Sequence, residues 1–289
     1  MLETKNLRFK YDDDSELSFP DIKTSKENLL ILGASGVGKT TFLHLLSGLL
    51  KPLEGEIDLI GTPISKLTMT EMDRFRGKNI GIVFQKPHFI NSLTVKENLQ
   101  LAQYISKKID KTRINSLLES LGIEDKANKK TLNLSQGEKQ RVSIARTLIM
   151  KPKFVVCDEP TSMLDVSIRI SIMDLMLNLA KDLEVSYLYI THDLAVARYM
   201  CNRIAVMFNG KIVEIGETEE LLQNPVHPYT KRLISSIPIP DPTYKREQYK
   251  VNFDELDNII SKNPNEKMVD IGGGHLVATH DTKDFLIES

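Results

Sequence analysis

The sequence predicts an α/β fold in which most strands of the central sheet are parallel. A short apolar run at residues 28–32 ends in a glycine-rich stretch, and a helical pattern follows at residues 39–48. Helical and strand patterns then alternate along the chain, as parallel sheets with crossover helices require. Two strand patterns at residues 2–9 and 16–19 flank the acidic turn 12–14, which predicts an antiparallel part at the start.

Apolar periodicity predicts the remaining elements in chain order. They are a strand at 79–84, a mostly helical stretch at 94–121, a helix at 136–150, a strand at 154–157, a helix at 166–183, a strand at 186–190, and strands at 203–208 and 211–215. The pair Asn209-Gly210 predicts a two-residue hairpin turn between the last two. Prolines cluster from Pro225 onward, where we expect a helix at 228–236, a linker and a small appendage.

Composition indicates an ordinary globular enzyme. The 289 residues carry a net charge of -1, and 41% are hydrophobic. This balance gives no reason to expect a nucleic acid as partner. No uncharged apolar run reaches the about 18 residues of a membrane helix, so we expect any membrane role to come through a partner. The first ten residues lack the apolar stretch of a signal peptide. Cys157 and Cys201, the only cysteines, form no CxxC motif, which predicts no metal or disulfide framework and fits a reducing cytosol.

Residues 33–40 match the phosphate-binding pattern G-x-x-x-x-G-K-[ST] between a strand and a helix. Glycines let backbone N–H groups converge on phosphate oxygens, and the helix N-terminus adds its positive end. The flanking elements disfavour the alternative of an ordinary glycine-rich turn. Lys39 is expected to reach the β- and γ-phosphates and Thr40 to bind Mg²⁺. The predicted ATP-binding residues of this loop are Gly33, Ala34, Ser35, Gly36, Val37, Gly38, Lys39, Thr40 and Thr41.

An acidic pair follows the apolar strand at 154–157. Asp158 is placed to bind Mg²⁺, and Glu159 to take a proton from an attacking water molecule. An acidic strand end without function is common, but a phosphate loop upstream in the same sheet makes that interpretation weaker.

The segment Leu134-Ser135-Gln136-Gly137-Glu138 resembles the LSGGQ signature of the ABC ATPase family, with LSQGE as a variant. It is also a helix N-terminus with a hydroxyl and a glycine, suited to a γ-phosphate. Ser135 and Glu138 fit a simple helix-capping box too, and the two interpretations are compatible. In the family, the signature faces the phosphate loop of a second subunit, so the resemblance implies ATP bound between two ATPase subunits.

Other family motifs occur in the expected order. By this resemblance, Gln85 senses Mg²⁺ and the attacking water, and Asp165 lies in a loop at the dimer interface. His192 would contact the γ-phosphate, and Tyr11 would stack on adenine. Isolated histidines and tyrosines are usually structural, so the assignment depends on their place in the series.

The resemblance implies a domain organisation and a set of partners. Residues 1–224 would form the ATPase domain, with a helical subdomain at about 86–150, and residues 225–289 an extension of the peptide-importer type. The partners implied are transmembrane permease subunits and a second ATPase subunit, identical or different, with room for a substrate-binding protein. ATP and Mg²⁺ are the expected cofactors, and the cytoplasmic membrane face is the expected location.

The two halves resemble different transporter groups. Residues 162–169, 205–214 and 224–230 are similar to oligopeptide and dipeptide importer ATPases. Residues 75–85 are more similar to lipoprotein-release and macrolide-export ATPases, which raises the hypothesis of a chimera. No cysteine follows Cys201, so we expect no iron–sulfur cluster in the extension.

Peptide import is the favoured function, and export is the alternative. A soluble ABC ATPase acting on DNA would need a long coiled-coil insertion, a ribosome-acting one would need two cassettes, and a simple P-loop kinase would lack the LSQGE segment. The transported molecule stays open at this point.

Overall fold

A computed structural model describes residues 1–11, 16–19, 21–25, 27–34, 36–236 and 267–279. The predicted acidic turn at 12–14, Ser35 and the linker prolines Pro238, Pro240 and Pro242 lie outside the described residues. The described part is a mixed α/β structure with two sheets, as the sequence predicted. No helix in the ranges described is both long and apolar enough to span a bilayer.

The strands are β1 Leu2–Phe9, β2 Leu17–Ser18, β3 Lys23–Thr24, β4 Leu29–Leu32, β5 Glu54–Leu59, β6 Thr62–Pro63, β7 Ile80–Val83, β8 Phe154–Asp158, β9 Ser186–Thr191, β10 Arg203–Phe208, β11 Lys211–Glu217, β12 Lys267–Asp270 and β13 Leu276–Thr279. The helices are α1 Lys39–Leu46, α2 Met69–Asn79, α3 Val95–Ser106, α4 Lys111–Ser120, α5 Gln136–Leu148, α6 Val166–Leu183, α7 Leu194–Met200, α8 Thr218–Gln223 and α9 Pro228–Ser235.

The main sheet has the order β12-β13-β11-β10-β4-β9-β8-β7. The five strands from β10 to β7 are parallel neighbours, and β11, β13 and β12 are added antiparallel. Parallel strands end at the same edge of a sheet, so the loops after β4, β8 and β9 lie together. This edge brings the phosphate loop, the acidic pair and His192 into one site.

The smaller sheet is antiparallel and contains β1, β2, β3, β5 and β6. It packs against one face of the main sheet through an apolar cluster that includes Leu7, Ile57 and Phe42 of α1. Strand β4 alternates between the two faces: Leu29 and Ile31 belong to this cluster, whereas Leu30 and Leu32 belong to the second one. The central strand is thus buried on both sides, as its continuous apolar sequence predicts.

The second apolar cluster joins the other face of the sheet to α3, α4, α5 and α6. Helices α2, α3 and α5 each begin with a capping box, in which a threonine or serine hydroxyl and a glutamate three residues later satisfy each other's backbone N–H groups. These boxes fix where the helices start.

The C-terminal extension contributes to the main sheet. Strand β13 pairs antiparallel with β11 at Glu214 and Ile215, and β12 pairs with β13. The side chain of Arg203 donates to the carbonyl of Gly274 at 3.0 Å, which joins the β12–β13 turn to β10. The described residues 267–279 therefore extend the main sheet.

Candidate active site

The phosphate loop begins after β4 and ends at α1, as the sequence predicted. A side chain at Gly33 would place its Cβ 2.4 Å from the carbonyl oxygen of Met207, so only glycine fits there. Gly36 and Gly38 have φ angles of 85° and 96°, which glycine adopts without strain. Gly38 is the N-cap of α1 and offers no side chain to its N–H groups, which leaves them for an anion.

Lys39 is buried beneath this loop. Its ammonium donates to the carbonyls of Gly33 at 2.9 Å and Ala34 at 2.6 Å. Burial lowers the pKa of Lys39, while the nearby carboxylates of Glu159 and Asp158 oppose that shift. The lysine is therefore held ready inside the loop by backbone oxygens that a phosphate could replace.

Asp158 is the last residue of β8 and faces the start of α1. The Thr40 hydroxyl donates to the Asp158 carboxylate at 3.4 Å. Burial raises the pKa of Asp158, and the adjacent charge of Glu159 raises it further, whereas the hydrogen bond from Thr40 lowers it. A cation at this position would offset both the burial of the Asp158 carboxylate and its repulsion by Glu159.

The donor set fits Mg²⁺ bound together with a phosphate. Thr40 and Asp158 supply oxygen ligands, and Mg²⁺ prefers one or two carboxylates with phosphates and water to an all-protein cage. Within the described residues, no group of three or more His, Cys, Asp or Glu could hold a metal by itself. An open site of this kind suits a metal that arrives with its nucleotide.

Glu159 is held between two other predicted site residues. The Gln85 amide donates to one carboxylate oxygen of Glu159 at 3.0 Å, and the Nδ1 of His192 lies 2.7 Å from the other. The φ angle of Glu159 is +42°, a conformation that costs energy in a residue with a side chain. Its backbone N–H donates to Ile190 at 2.9 Å, so the strained backbone is fixed to β9.

The phosphate loop, Gln85, Asp158 and Glu159 line one cavity of about 310 Å³. His192 is largely exposed on the other side of Glu159 and lines a neighbouring cavity of about 320 Å³. The structure thus brings together the predicted phosphate-binding, metal-binding and general-base residues in one place.

Tyr11 lies at the edge of this site. Its hydroxyl is 3.2 Å from the Thr41 hydroxyl, and its ring contacts Phe9 edge to face at 4.7 Å between centroids. The side chain stays 42% exposed, so a ring face is accessible to a planar base.

The signature residues lie elsewhere. Ser135 caps α5 and is exposed: the Glu138 N–H donates to its hydroxyl at 3.2 Å, and its own N–H donates to the Glu138 carboxylate at 2.7 Å. Gly137 packs under Ile168, which a Cβ would approach to 2.9 Å. Gln136 lines another cavity of about 290 Å³, which shares Gln85 with the phosphate-loop cavity but includes no residue of the loop itself.

Asp165 is also exposed, and it does not line the phosphate-loop cavity. It occupies the N-cap position of α6, but its side chain makes no capping hydrogen bond. The backbone N–H of Arg169 donates to its carbonyl at 2.8 Å, and Arg169 forms an ion pair with Asp193 at 2.6 Å. The loop at residues 162–165 is therefore attached to the segment that carries His192.

Two residues at the site were missed by the sequence predictions. Ser162 accepts from the Gln85 amide at 3.2 Å and donates to the Glu159 carbonyl at 3.1 Å. Tyr229 of α9 accepts from the backbone N–H of Ala34 at 3.2 Å. Both residues lie in segments that resemble peptide importers, 162–169 and 224–230. The contact between Tyr229 and Ala34 spans 195 residues, however, and leaves no local sequence pattern.

The chain matches two family models and resembles several known proteins in sequence. The family model described as "ABC transporter" matches residues 22–162, and the one described as "Oligopeptide/dipeptide transporter, C-terminal region" matches residues 213–260. The oligopeptide transport ATP-binding protein OppF of Streptococcus mutans is 37% identical, with 96% of this chain and 94% of the relative covered. The methionine import ATP-binding protein MetN of Helicobacter acinonychis is 39% identical, over 81% of this chain and 73% of the relative.

Solved structures show the same fold. The protein cbiO1 of Clostridium perfringens, described as part of the ABC transporter complex cbiONQ, superposes with a TM-score of 0.71 at 31% identity, covering 77% of this chain and 90% of that one. A dimeric ATP-binding cassette, MJ0796, bound to ADP and Pi, gives a TM-score of 0.68 at 29% identity, covering 75% and 99%.

Proposed function

The chain belongs to the ATP-binding subunits of ABC transporters, and we propose that it hydrolyses ATP to drive peptide import through a separate membrane permease. The observation that carries peptide import is the match to an oligopeptide transport subunit over 96% of the chain. The match of residues 213–260 to the C-terminal region of oligopeptide and dipeptide transporters supports it independently of the ATPase motifs.

In this proposal, the backbone of residues 33–41 and Lys39 bind the phosphates of ATP. Lys39 gives up the carbonyls of Gly33 and Ala34 and donates to the β- and γ-phosphates instead. Tyr11 stacks on the adenine ring. Thr40 and Asp158 would hold Mg²⁺, with Gln85 beside it, and the ion would supply charge neutralisation at the transferring phosphoryl group.

Glu159 is proposed as the general base that takes a proton from the attacking water. Its two oxygens are already oriented, one by Gln85 and the other by His192, which lowers the cost of positioning the base. His192 is exposed and can turn toward the γ-phosphate without leaving the site.

Two subunits are proposed to bind ATP between them. None of Ser135, Gln136, Gly137 and Glu138 lines the phosphate-loop cavity of its own chain, and Asp165 is exposed. The MJ0796 cassette, a structural neighbour, is dimeric, which supports this proposal.

The proposed location is the cytoplasmic face of the membrane, where the chain would attach through permease subunits, with a substrate-binding protein as a further partner. We also propose that residues 1–224 form the ATPase domain, with the helical subdomain at about 86–150, and that residues 225–289 form the extension. The mixed origin suggested by residues 75–85 is not shown, because oligopeptide transport relatives match both halves.

A second candidate is import of methionine, favoured by the 39% identity to a methionine import subunit over 240 residues. The test is purification of the tagged chain with its permease from detergent, followed by reconstitution in vesicles loaded with ATP. Uptake of labelled peptide without uptake of methionine supports the proposal. Methionine uptake alone favours the second candidate, outward transport favours export, and ATPase activity without any membrane partner contradicts a transport role.

A further inference from the structure

Tyr229 contacts the phosphate loop from the C-terminal segment. Its side chain is buried beneath the loop, and its hydroxyl accepts from the backbone N–H of Ala34 at 3.2 Å. Its ring packs on Phe208, at the end of β10, with 4.4 Å between centroids. A residue of α9 therefore touches the backbone that surrounds Lys39.

The Ala34 peptide is held from two directions. Tyr229 holds its N–H, and the ammonium of Lys39 donates to its carbonyl at 2.6 Å. When Lys39 turns to a phosphate, the carbonyl loses that partner, while the contact with Tyr229 can persist. The tyrosine hydroxyl is then the remaining side-chain contact that fixes this peptide.

A buried carboxylate places Tyr229. Glu214 of β11 is fully buried and accepts from the backbone N–H groups of Val226 at 2.8 Å and His227 at 3.0 Å. His227 in turn caps α9, because its Nδ1 accepts from the N–H of Tyr229 at 3.2 Å. The start of α9 is thus fixed to the main sheet through one side chain.

The same carboxylate meets the C-terminal hairpin. The Nε2 of His275, at the turn between β12 and β13, lies 2.8 Å from Glu214, and the imidazole is buried. Gly216 leaves room for this ring, since a Cβ there would approach it to 3.3 Å. Hydrogen bonds therefore run from the hairpin through Glu214 and α9 to the phosphate loop.

We propose that Tyr229 is a positioning residue for ATP, which ties the phosphate loop to the C-terminal hairpin through Glu214 and His275. The inference rests on the proposed ATPase function and adds a residue to it from outside the known ATP-binding motifs. Tyr229 acts through the backbone of Ala34, so its removal is expected to weaken binding of ATP more than the rate of hydrolysis.

The first test is Tyr229→Phe, which removes the hydroxyl and keeps the ring on Phe208. We expect the Kd for ATP and the KM for ATP to rise about threefold to tenfold, the effect of one lost hydrogen bond. The kcat at saturating ATP should stay within about twofold of the unmodified chain. Titration with a fluorescent ATP analogue and steady-state kinetics measure these quantities.

The matched control is Tyr187→Phe. The Tyr187 hydroxyl is buried in β9 and has no hydrogen-bond partner within the described residues. Its loss should leave ATP affinity unchanged. Equal Kd values for Tyr229→Phe and the unmodified chain would overturn the positioning role. So would equal losses of ATP affinity in Tyr229→Phe and Tyr187→Phe. Failure of the unmodified chain to bind ATP would instead refute the proposed function.

The hairpin link is tested with His275→Gln alone and together with Tyr229→Phe. We expect His275→Gln to raise the Kd for ATP in the unmodified chain but not in the Tyr229→Phe background, because the two changes affect one connected contact. If the two changes reduce ATP affinity additively, or if His275→Gln does not reduce it at all, the link between the hairpin and the phosphate loop is contradicted.

Discussion

The two helix N-termini proposed to bind ATP, those of α1 and α5, are prepared in opposite ways. Helix α1 begins at Gly38, which has no side chain, and it is surrounded by Lys39, Asp158 and Glu159 of its own chain. Helix α5 has Ser135 as its N-cap, and the capping box with Glu138 satisfies the N–H groups of Ser135 and Glu138. The N-terminus of α1 can therefore bind an anion with residues of its own chain, whereas the N-terminus of α5 is exposed and already capped.

This difference indicates how a cassette can bind ATP as a monomer and need a partner for hydrolysis. The α1 site has a buried cation and no side-chain cap, so we expect it to provide most of the affinity for ATP. The α5 site offers a smaller gain, which matters only when a second subunit brings it to the phosphate. Changes at α1 should therefore alter binding and chemistry, and changes at α5 should alter association.

The largest effect is expected from Glu159→Gln, on the α1 side. The amide keeps the shape of the side chain but cannot take the proton of the attacking water. We expect kcat to fall about 100-fold to 10,000-fold while the Kd for ATP stays close to normal. Phosphate release and an ATP titration measure the two quantities.

The control for that change is Glu119→Gln on the exposed surface of α4, which should keep full activity. If Glu159→Gln hydrolyses ATP at a near-normal rate, Glu159 is not the general base. If Glu159→Gln also loses ATP binding, the prediction that Glu159 acts in hydrolysis and not in binding is incorrect.

Lys39→Ala should have the next largest effect, and it should appear in binding. It removes the cation that we expect at the β- and γ-phosphates, a charge-assisted contact worth about tenfold to a hundredfold in Kd. Isothermal titration with ATP measures it. Lys51→Ala, an exposed lysine beyond α1, is the matched control and should bind normally; equal affinity in both variants would exclude Lys39 as a phosphate ligand.

Ser135→Arg tests the α5 side alone. It fills the space in front of the helix N-terminus, so we expect ATP to bind each monomer nearly as before while the ATP-driven dimer is lost. The measurement is size-exclusion chromatography with ATP in a Glu159→Gln background, with Ser116→Arg on the exposed surface of α4 as control. Dimers that form equally well with Ser135→Arg would show that α5 does not meet the partner's phosphate.

Local patterns predicted most of the core, and the misses have physical reasons. Helix α6 and strand β10 begin and end where their apolar periodicity predicts. Strand β5 was missed because Glu54 and Glu56 interrupt its apolar character. Helix α2 was missed because Met72 is its only buried residue.

Some features of the candidate site were likewise predicted from local patterns, and others were not. The phosphate loop and the Asp158–Glu159 pair follow from spacing, because strand, turn and helix are contiguous there. Gln85 was assigned to the site only by family resemblance, and its contact with Glu159, 74 residues away, was not predicted. The positive φ of Glu159 and the contact of Tyr229 with Ala34 depend on how distant elements pack, which no local pattern records.

The smallest expected effect is on Glu138, where this chain has an acid in place of the final glutamine of the signature. Its carboxylate accepts from the Ser135 N–H, and that hydrogen bond is the main reason that its pKa is lowered, so it is charged at neutral pH. In the proposed dimer, this negative charge lies near the partner's triphosphate and opposes association. Glutamine also completes a capping box, so Glu138→Gln should remove the repulsion and keep the helix start.

We expect Glu138→Gln to tighten the ATP-bound dimer about twofold to fivefold at low salt, and less at high salt, since exposed charges are screened. Analytical ultracentrifugation in the Glu159→Gln background measures this. Glu71→Gln is the matched control, because Glu71 completes the equivalent capping box of α2 with Thr68. If both variants change the dimer equally, the effect comes from capping or net charge. A weaker dimer in Glu138→Gln alone would mean that the acid contributes to the interface. The Glu138 side chain, and not only the N–H groups of α5, would then contact the second subunit.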